Sequence, residues 1–216
     1  EAYPSVPVRR TGELKTVRVT QPKPGAFVFD LGQNFTGIAR LRVKAPAAAA
    51  VTLRFAEVLE PDGNIHTANL RSAKCTDTYI CKGGGRPEAW EPRFTFHGFR
   101  YVEVTGYPGA PRADAVTGVA INSYTPHAGL FECSNPLINR FWINTLWTQR
   151  GNFLEVPMAS RPAIPVCPPV QRLKGRLPKI GITERRRRER FNNPGTELVT
   201  GRSERSRFIA VVVRGR

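Results

Sequence analysis

The chain has no apolar run near the ~20 residues that a membrane-spanning helix requires. Its longest late apolar segment, Phe208 to Val213, is far too short. No basic stretch followed by an apolar one opens the sequence, so no signal peptide is expected and localisation is not legible. Cysteine is sparse: Cys75, Cys81, Cys133 and Cys167 are scattered, and the first two sit in an apparent strand at a separation that matches no common zinc spacing. A domain of this size needs no disulfide framework to hold its core, so ordinary reduced thiols are expected, with no metal and no cofactor. Histidine is equally rare. His66, His97 and His127 have no i,i+4 pair or acidic partner in the sequence, which makes each a structural residue rather than a base. The Gly-x-Ser-x-Gly elbow is missing, and Ser–His–Asp catalysis has no foothold without it. Gly83-Gly84-Gly85 is not followed by Gly-Lys-Ser/Thr or by a helix, which excludes a phosphate loop.

Acidic residues are missing from one end. Residues 161–216 hold 15 of the 33 Lys and Arg but only 4 of the 17 acids, so most of the net charge of +16 lies there. Pro162, Pro165, Pro168, Pro169 and Pro178 leave no sustained helical or strand period over 158–183. Arg185 to Arg188 is an unbroken arginine run, and Ser203 to Arg207 is basic again. A nucleic-acid arm is one reading. Only Phe191 and Phe208 supply aromatics, and no recognition motif frames the basic run. The expectation is therefore an aberrant, irregular and disordered tail over 158–216, with no specific nucleic-acid or membrane partner.

What is present before that point is strand pattern. Residues 1–24 are proline-rich around one short strand, Leu14 to Val19, and read as a lead-in arm. Phe27, Phe29 and Leu31 alternate until Gly32 ends the run; Ala39, Leu41 and Val43 alternate against Arg40, Arg42 and Lys44. Val51, Leu53 and Phe55 alternate next, and Pro61-Asp62-Gly63-Asn64 is a turn in which Pro presets φ and Gly accepts positive φ. Further strands are expected at Thr76 to Cys81, Trp90 to His97, Phe99 to Thr105, Val116 to Tyr124 and Gly129 to Glu132, with Gly98 parting the third run from the second. Phe99 to Thr105 is apolar in both alternating sets, the mark of a central strand. About eight short strands with regular turn signals predict a mainly β fold, an antiparallel β-sandwich, with a barrel as the alternative. No strand alternates with helices, so a doubly wound α/β fold is excluded.

At Ser134 the period changes. Ser134 or Asn135 caps a helix with Pro136 in its first turn. Leu137, Ile138, Phe141, Trp142, Thr145 and Leu146 form a wide apolar stripe, broadened by Trp147, and the helix ends near Gly151. A stripe so rich in aromatics needs a partner surface, so it reads as the first helix of a further domain.

Few residues suggest chemistry. Glycoside hydrolysis needs two carboxyl groups facing across a cleft, ~5–9.5 Å apart. Glu57, Glu60 and Asp62 cluster at a turn without an evident cleft, and Glu132 and Glu155 flank the helix. Asn34-Phe35-Thr36 matches a glycosylation sequon. Taken alone, these residues specify no enzyme, and no carbohydrate-binding residue is named by them.

Five ordered blocks do carry a resemblance. They are Phe29-Asp30-Leu31-Gly32-Gln33-Asn34 with Gly37 and Arg40-Leu41; Leu53 to Leu59 with Asp62-Gly63; Asn69 to Lys74 followed by Thr76 to Tyr79; Glu91 to Val104; and Phe131 to Leu137 with Gln149 to Leu154. Together, over residues 25–157, they resemble the concanavalin-like, jelly-roll type β-sandwich of bacterial α-L-rhamnosidases and the first helix of their (α/α)6 catalytic barrel. The resemblance implies four segments: the arm 1–24, a sandwich domain 25–126, a linker strand and first barrel helix 127–157, and the tail 158–216. It also implies an inverting glycoside hydrolase that removes terminal L-rhamnose with a general acid and a general base carboxylate. A rhamnose-containing glycoside and the rest of the barrel are the partners that follow. After Val156-Pro157 the family continues with an Asp-Cys-Pro-Gln-Arg-Asp-Glu-Arg run and then a Gly-Trp-x-Gly-Asp segment. This sequence has Met158-Ala159-Ser160-Arg161-Pro162 instead, with Cys167-Pro168 a faint echo. No catalytic residue of the family can be carried onto any position here. The expectation is an inactive fragment whose reading frame was lost, or whose gene was truncated, just after Pro157. A non-catalytic carbohydrate-binding or domain-packing module is the alternative.

Overall fold

The computed structural model describes residues 6–124, 129–157, 196–203 and 206–213, the last two ranges as backbone strands only. The chain divides into two units: Glu1–Tyr124 with Thr148–Pro168, and Thr125–Trp147 with Pro169–Arg216.

In the first unit β1 (Val8–Lys15), β2 (Arg18–Lys23), β3 (Ala26–Val43), β4 (Ala50–Ala56), β5 (Thr76–Ile80), β6 (Glu88–Trp90), β7 (His97–Thr105) and β8 (Val116–Ser123) form one antiparallel sheet. Its order is β1-β8-β3-β7-β4-β5, with β2 and β6 also paired to β3. The 18-residue β3 turns this curled sheet into a sandwich. Residues 26–30 run between β2 and β7, whereas residues 37–43 run between β8 and β6. The register with β7 slips between Asp30 and Phe35, and Gly32 there holds φ 76°. Glycine has no Cβ to clash at that φ, so the strand bends without ending. The sequence pattern expected Gly32 to end a strand; it is instead the corner of a longer one.

Apolar alternation sets the core. Phe29, Leu41, Val51, Leu53, Phe55, Phe99, Val102 and Val104 are fully buried. The Phe99 ring lies 4.6 Å from Phe35 and 4.7 Å from Phe55, inside the range of favourable offset and edge contacts. On the other side of the sheet Val28, Ala56 and Ile65 form a smaller cluster with Leu59 and Tyr101. Residues 57–65 return over the sheet to make it, closed by the Leu59–Ile65 bridge. That second cluster explains why β7, flanked by β3 and β4, is apolar on both faces.

Three expectations about strands need correction. The arm is no appendage: β1 pairs with β8 along the sheet edge and β2 with β3, because the strand-forming pattern reaches back to Val8. Trp90 to His97 is not one strand; β6 ends at Trp90 and residues 91–96 connect, since Pro92 supplies no N–H to a ladder. Gly98 lies inside β7, paired with Thr36, instead of separating two strands. The triple-glycine turn is also tied down. Glu88 accepts from the Lys82 and Gly83 amides and from the Tyr79 hydroxyl, and that last bond pushes the Tyr79 pKa up to about 12.

In the second unit β9 (Gly129–Cys133) leads into α1 (Pro136–Asn152), whose last turn belongs to the first unit. Asn135 caps the helix, its Oδ1 accepting from the Leu137 amide at 3.0 Å. Asn139 folds back, donating to the Cys133 carbonyl at 2.7 Å and accepting from its amide at 2.8 Å. No residue of α1 is buried, and Leu137 and Phe141 are 78% and 71% exposed. The apolar stripe is present: Leu137, Ile138 and Phe141 are exposed, whereas Trp142, Leu146 and Trp147 are half-buried, Trp142 with its ring 5.9 Å from Phe131. Short β10 (Phe153–Leu154) and β11 (Val156–Pro157) close the first unit, with Leu154 buried. Over 196–213 the expected irregular tail gives way to two strands, β12 (Thr196–Ser203) and β13 (Ser206–Val213), paired with each other and, through β13, with β9. The apolar run Phe208 to Val213, too short for a membrane span, lies in β13. The rest of 158–216 lies outside the described residues.

Candidate functional site

The carboxylates expected to cluster at the 57–64 turn are directed to separate partners. Glu57 follows β4 and accepts from the Asn34 amide at 3.0 Å. Burial pushes its carboxyl above the ordinary range, against the lowering effect of that bond. Asn34 is the sequon asparagine, so its side chain is already engaged within the sandwich. Glu60 Oε1 lies 2.5 Å from His66 Nδ1. Asp62 accepts from the backbone and side chain of Asn64, and these bonds hold its carboxyl low. One carboxylate supports the sheet bend, one pairs with a histidine and one closes its own turn. They make no acid–base pair across a cleft.

His66 and His97 do have acidic partners, contrary to the expectation from sequence. The Glu60 partner of His66 is six residues away, and the Asp77 partner of His97 is twenty away on a neighbouring element. Long-range pairs of that kind have no signature in local spacing. His97 Nε2 stands 3.1 Å from both Asp77 oxygens, its Nδ1 3.4 Å from Cys75 Sγ, and its ring stacks on Phe55 at 4.3 Å. Burial works against charge on this ring, but Asp77 and Cys75 outweigh it and the pKa is raised to about 9. His127 lies outside the described residues.

Two ion-pair clusters hold the sandwich's surface and were missed by reasoning from local pattern. Arg100 grips Asp30 with two 2.8 Å hydrogen bonds. Glu91 receives Arg40 Nε and Arg10 Nη2 at 2.6 Å each, and Arg40 also reaches Glu13 at 2.7 Å. Both clusters pair opposite charges from distant parts of the chain, so neither leaves a carboxylate free for proton transfer. Glu132 sits in β9 before the helix. Glu155 follows it, its amide donating to Ser123 Oγ at 2.7 Å. No group of three or more metal-ligating side chains occurs among the described residues, and none of the described helices is long and apolar enough to cross a membrane. Cys167 and the arginine run are outside the described residues.

Comparison with known proteins gives a consistent answer. Residues 20–122 match the model of the bacterial alpha-L-rhamnosidase concanavalin-like domain, and residues 126–160 match that of the bacterial alpha-L-rhamnosidase 6 hairpin glycosidase domain. An alpha-L-rhamnosidase of Streptomyces avermitilis is 58% identical over 151 residues, which is 70% of this chain and 15% of that protein. The crystal structure of Streptomyces avermitilis alpha-L-rhamnosidase complexed with L-rhamnose superposes with a TM-score of 0.69 at 57% identity, covering 71% of this chain and 15% of that one. The structure of alpha-L-rhamnosidase from Dictyoglumus thermophilum gives the same TM-score at 40% identity, over 71% of this chain and 17% of that one. The chain thus spans about one sixth of the length of the relatives it matches, and the family matches stop at residue 160.

Proposed function

Since residues 20–122 and 126–160 belong to the bacterial α-L-rhamnosidase family, we propose that the chain is the sandwich domain and first barrel helix of a glycoside hydrolase that releases terminal L-rhamnose. The observation that carries the reading is the ordered pair of family matches together with 58% identity to an alpha-L-rhamnosidase over 151 residues. The rhamnose-containing substrate comes from the relatives, one of which was crystallised with L-rhamnose.

On this reading the sandwich is a support and the chemistry lies elsewhere. Inverting hydrolysis needs one carboxylic acid to protonate the leaving oxygen and one carboxylate to activate water on the opposite face. Glu57, Glu60 and Asp62, each committed to Asn34, His66 or Asn64, are poor choices for either role. No catalytic residue is assigned to this chain, and residues 1–216 alone are inactive. The exposed Leu137, Ile138 and Phe141 on α1 favour domain packing as the contribution of this segment, because a barrel's other helices cover a stripe of that kind.

The family pattern stops near Pro157 while the chain continues, and a shifted reading frame accounts for both facts. The test is the nucleotide sequence across codons 150–180, translated in all three frames. An Asp-Cys-Pro-Gln-Arg-type run in another frame is expected. Its absence from every frame would overturn the frame shift and leave residues 158–216 as genuine sequence.

A further inference from the structure

Cys75, Asp77 and His97 form a connected chain of groups beside the Phe55 ring. Cys75 immediately precedes β5, the edge strand of the sheet, and His97 opens β7. The Cys75 backbone holds φ 45°, uncommon for a residue with a side chain, and is pinned by the Phe55 amide donating to its carbonyl at 3.0 Å. That conformation sets Sγ 3.4 Å from His97 Nδ1. Asp77 engages the opposite nitrogen with both oxygens, and the Phe55 ring fixes the imidazole plane. The side chains of His97 and Asp77 are 12% and 9% exposed, whereas Cys75 is half-buried and open to a small reagent.

We propose that Cys75 is a modification site, its sulfur activated by the His97–Asp77 pair to react with hydroperoxides and form a sulfenic acid. A ring protonated on both nitrogens donates to Asp77 and places positive charge beside the sulfur, which favours the anionic, nucleophilic form of a thiol. The raised pKa of His97, about 9, is consistent with a ring that keeps its second proton at neutral pH. In the reaction the sulfur attacks the terminal peroxide oxygen; an S–O bond forms and the O–O bond breaks. The thiol has released its proton to solvent, and the departing alkoxide takes a proton from His97, which is reprotonated from solvent. Thiol and hydroperoxide become sulfenic acid and alcohol, so sulfur is oxidised by two electrons and the peroxide reduced by two. The other described cysteines lack this setting. Cys81 is 2% exposed with its thiol pushed up by burial, and Cys133 Sγ faces the Asn135 carbonyl.

The test uses the full chain, hydrogen peroxide at pH 7 and dimedone to trap sulfenic acid, with each cysteine followed by peptide mass spectrometry. The imidazolium beside its sulfur stabilises the attacking nucleophile, so Cys75 is expected to be trapped about tenfold faster than Cys133. His97→Gln should bring Cys75 down to the rate of Cys133 while leaving Cys133 unchanged. Asp77→Asn, which keeps the ring, should give a smaller loss. Equal trapping of Cys75 and Cys133 in the wild-type protein would overturn the proposal, and that comparison stands even if neither variant folds. An unchanged Cys75 rate in a folded His97→Gln protein would overturn it as well.

Discussion

Arg100 of β7 and Asp30 of β3, seventy residues apart, meet in a two-pronged ion pair, Nε to Oδ1 and Nη2 to Oδ2, both at 2.8 Å. The pair joins two of the sequence blocks that carry the family likeness, Phe29 to Asn34 and Glu91 to Val104. Asp30 also accepts from the Gly32 amide at 2.7 Å, so the same carboxylate holds the bend of β3. Burial alone raises the Asp30 pKa, but the bonds from Arg100 and Gly32 outweigh it and the carboxyl titrates below its usual value.

Asp30→Asn should therefore cost about 1–2 kcal/mol at pH 7, a modest figure because Arg100 is partly exposed. The contribution exists above the ordinary aspartate pKa and disappears as pH falls through the lower folded value. Urea unfolding at pH 7 and at acid pH should show the difference between wild type and Asp30→Asn shrinking on acidification.

His97 gives the opposite slope. Its folded pKa of about 9 exceeds the ordinary histidine value of 6.5, so its stabilisation is complete below pH 6.5 and is lost as pH rises through 9. At about 1.4 kcal/mol per pKa unit the loss is bounded by about 3–4 kcal/mol. Thermal melts between pH 6.5 and 9 should fall for wild type and stay nearly flat for His97→Gln.

Gly37 has no room for a side chain. A Cβ there would stand 2.1 Å from the Val119 carbonyl oxygen and 2.8 Å from the Phe35 ring, whereas one at Gly12 would meet nothing within 4 Å. Backbone cannot yield as a flexible side chain does, so Gly37→Ala should lose about 2–4 kcal/mol or fail to fold. Gly12→Ala should melt within a degree or two of wild type (about 0.5 kcal/mol).

Phe99→Ala removes the ring that joins Phe35 and Phe55 at the centre of the sandwich. Truncation of a fully buried Phe costs about 3–5 kcal/mol, and denaturant unfolding should show a loss of that size.

The apolar face of α1 makes a different kind of prediction. Leu137→Glu with Phe141→Lys should leave sandwich stability unchanged, since both side chains are mostly exposed. The double variant should lower self-association in light scattering, because contiguous exposed apolar surface promotes it.

Much of the sandwich was legible because its core obeys period-two alternation: Leu41 and Val43, Val51, Leu53 and Phe55 are buried where the pattern places them. The helix was equally plain, with Asn135 at its cap and Pro136 in its first turn. Pattern failed where pairing is non-local. Gly32 is a strand end by local rules, and only the partners β2, β6, β7 and β8 reveal one bent strand. The ties of Cys75 and Asp77 to His97 depend on β5 and β7 being joined through β4, which no spacing in the sequence discloses.

The proposed function leaves none of the family's catalytic carboxylates on this chain. The direct measurement is turnover of an aryl α-L-rhamnoside by purified residues 1–216 across acid and neutral pH. No hydrolysis above the uncatalysed rate is predicted. Measurable, acid-dependent release of rhamnose would contradict it.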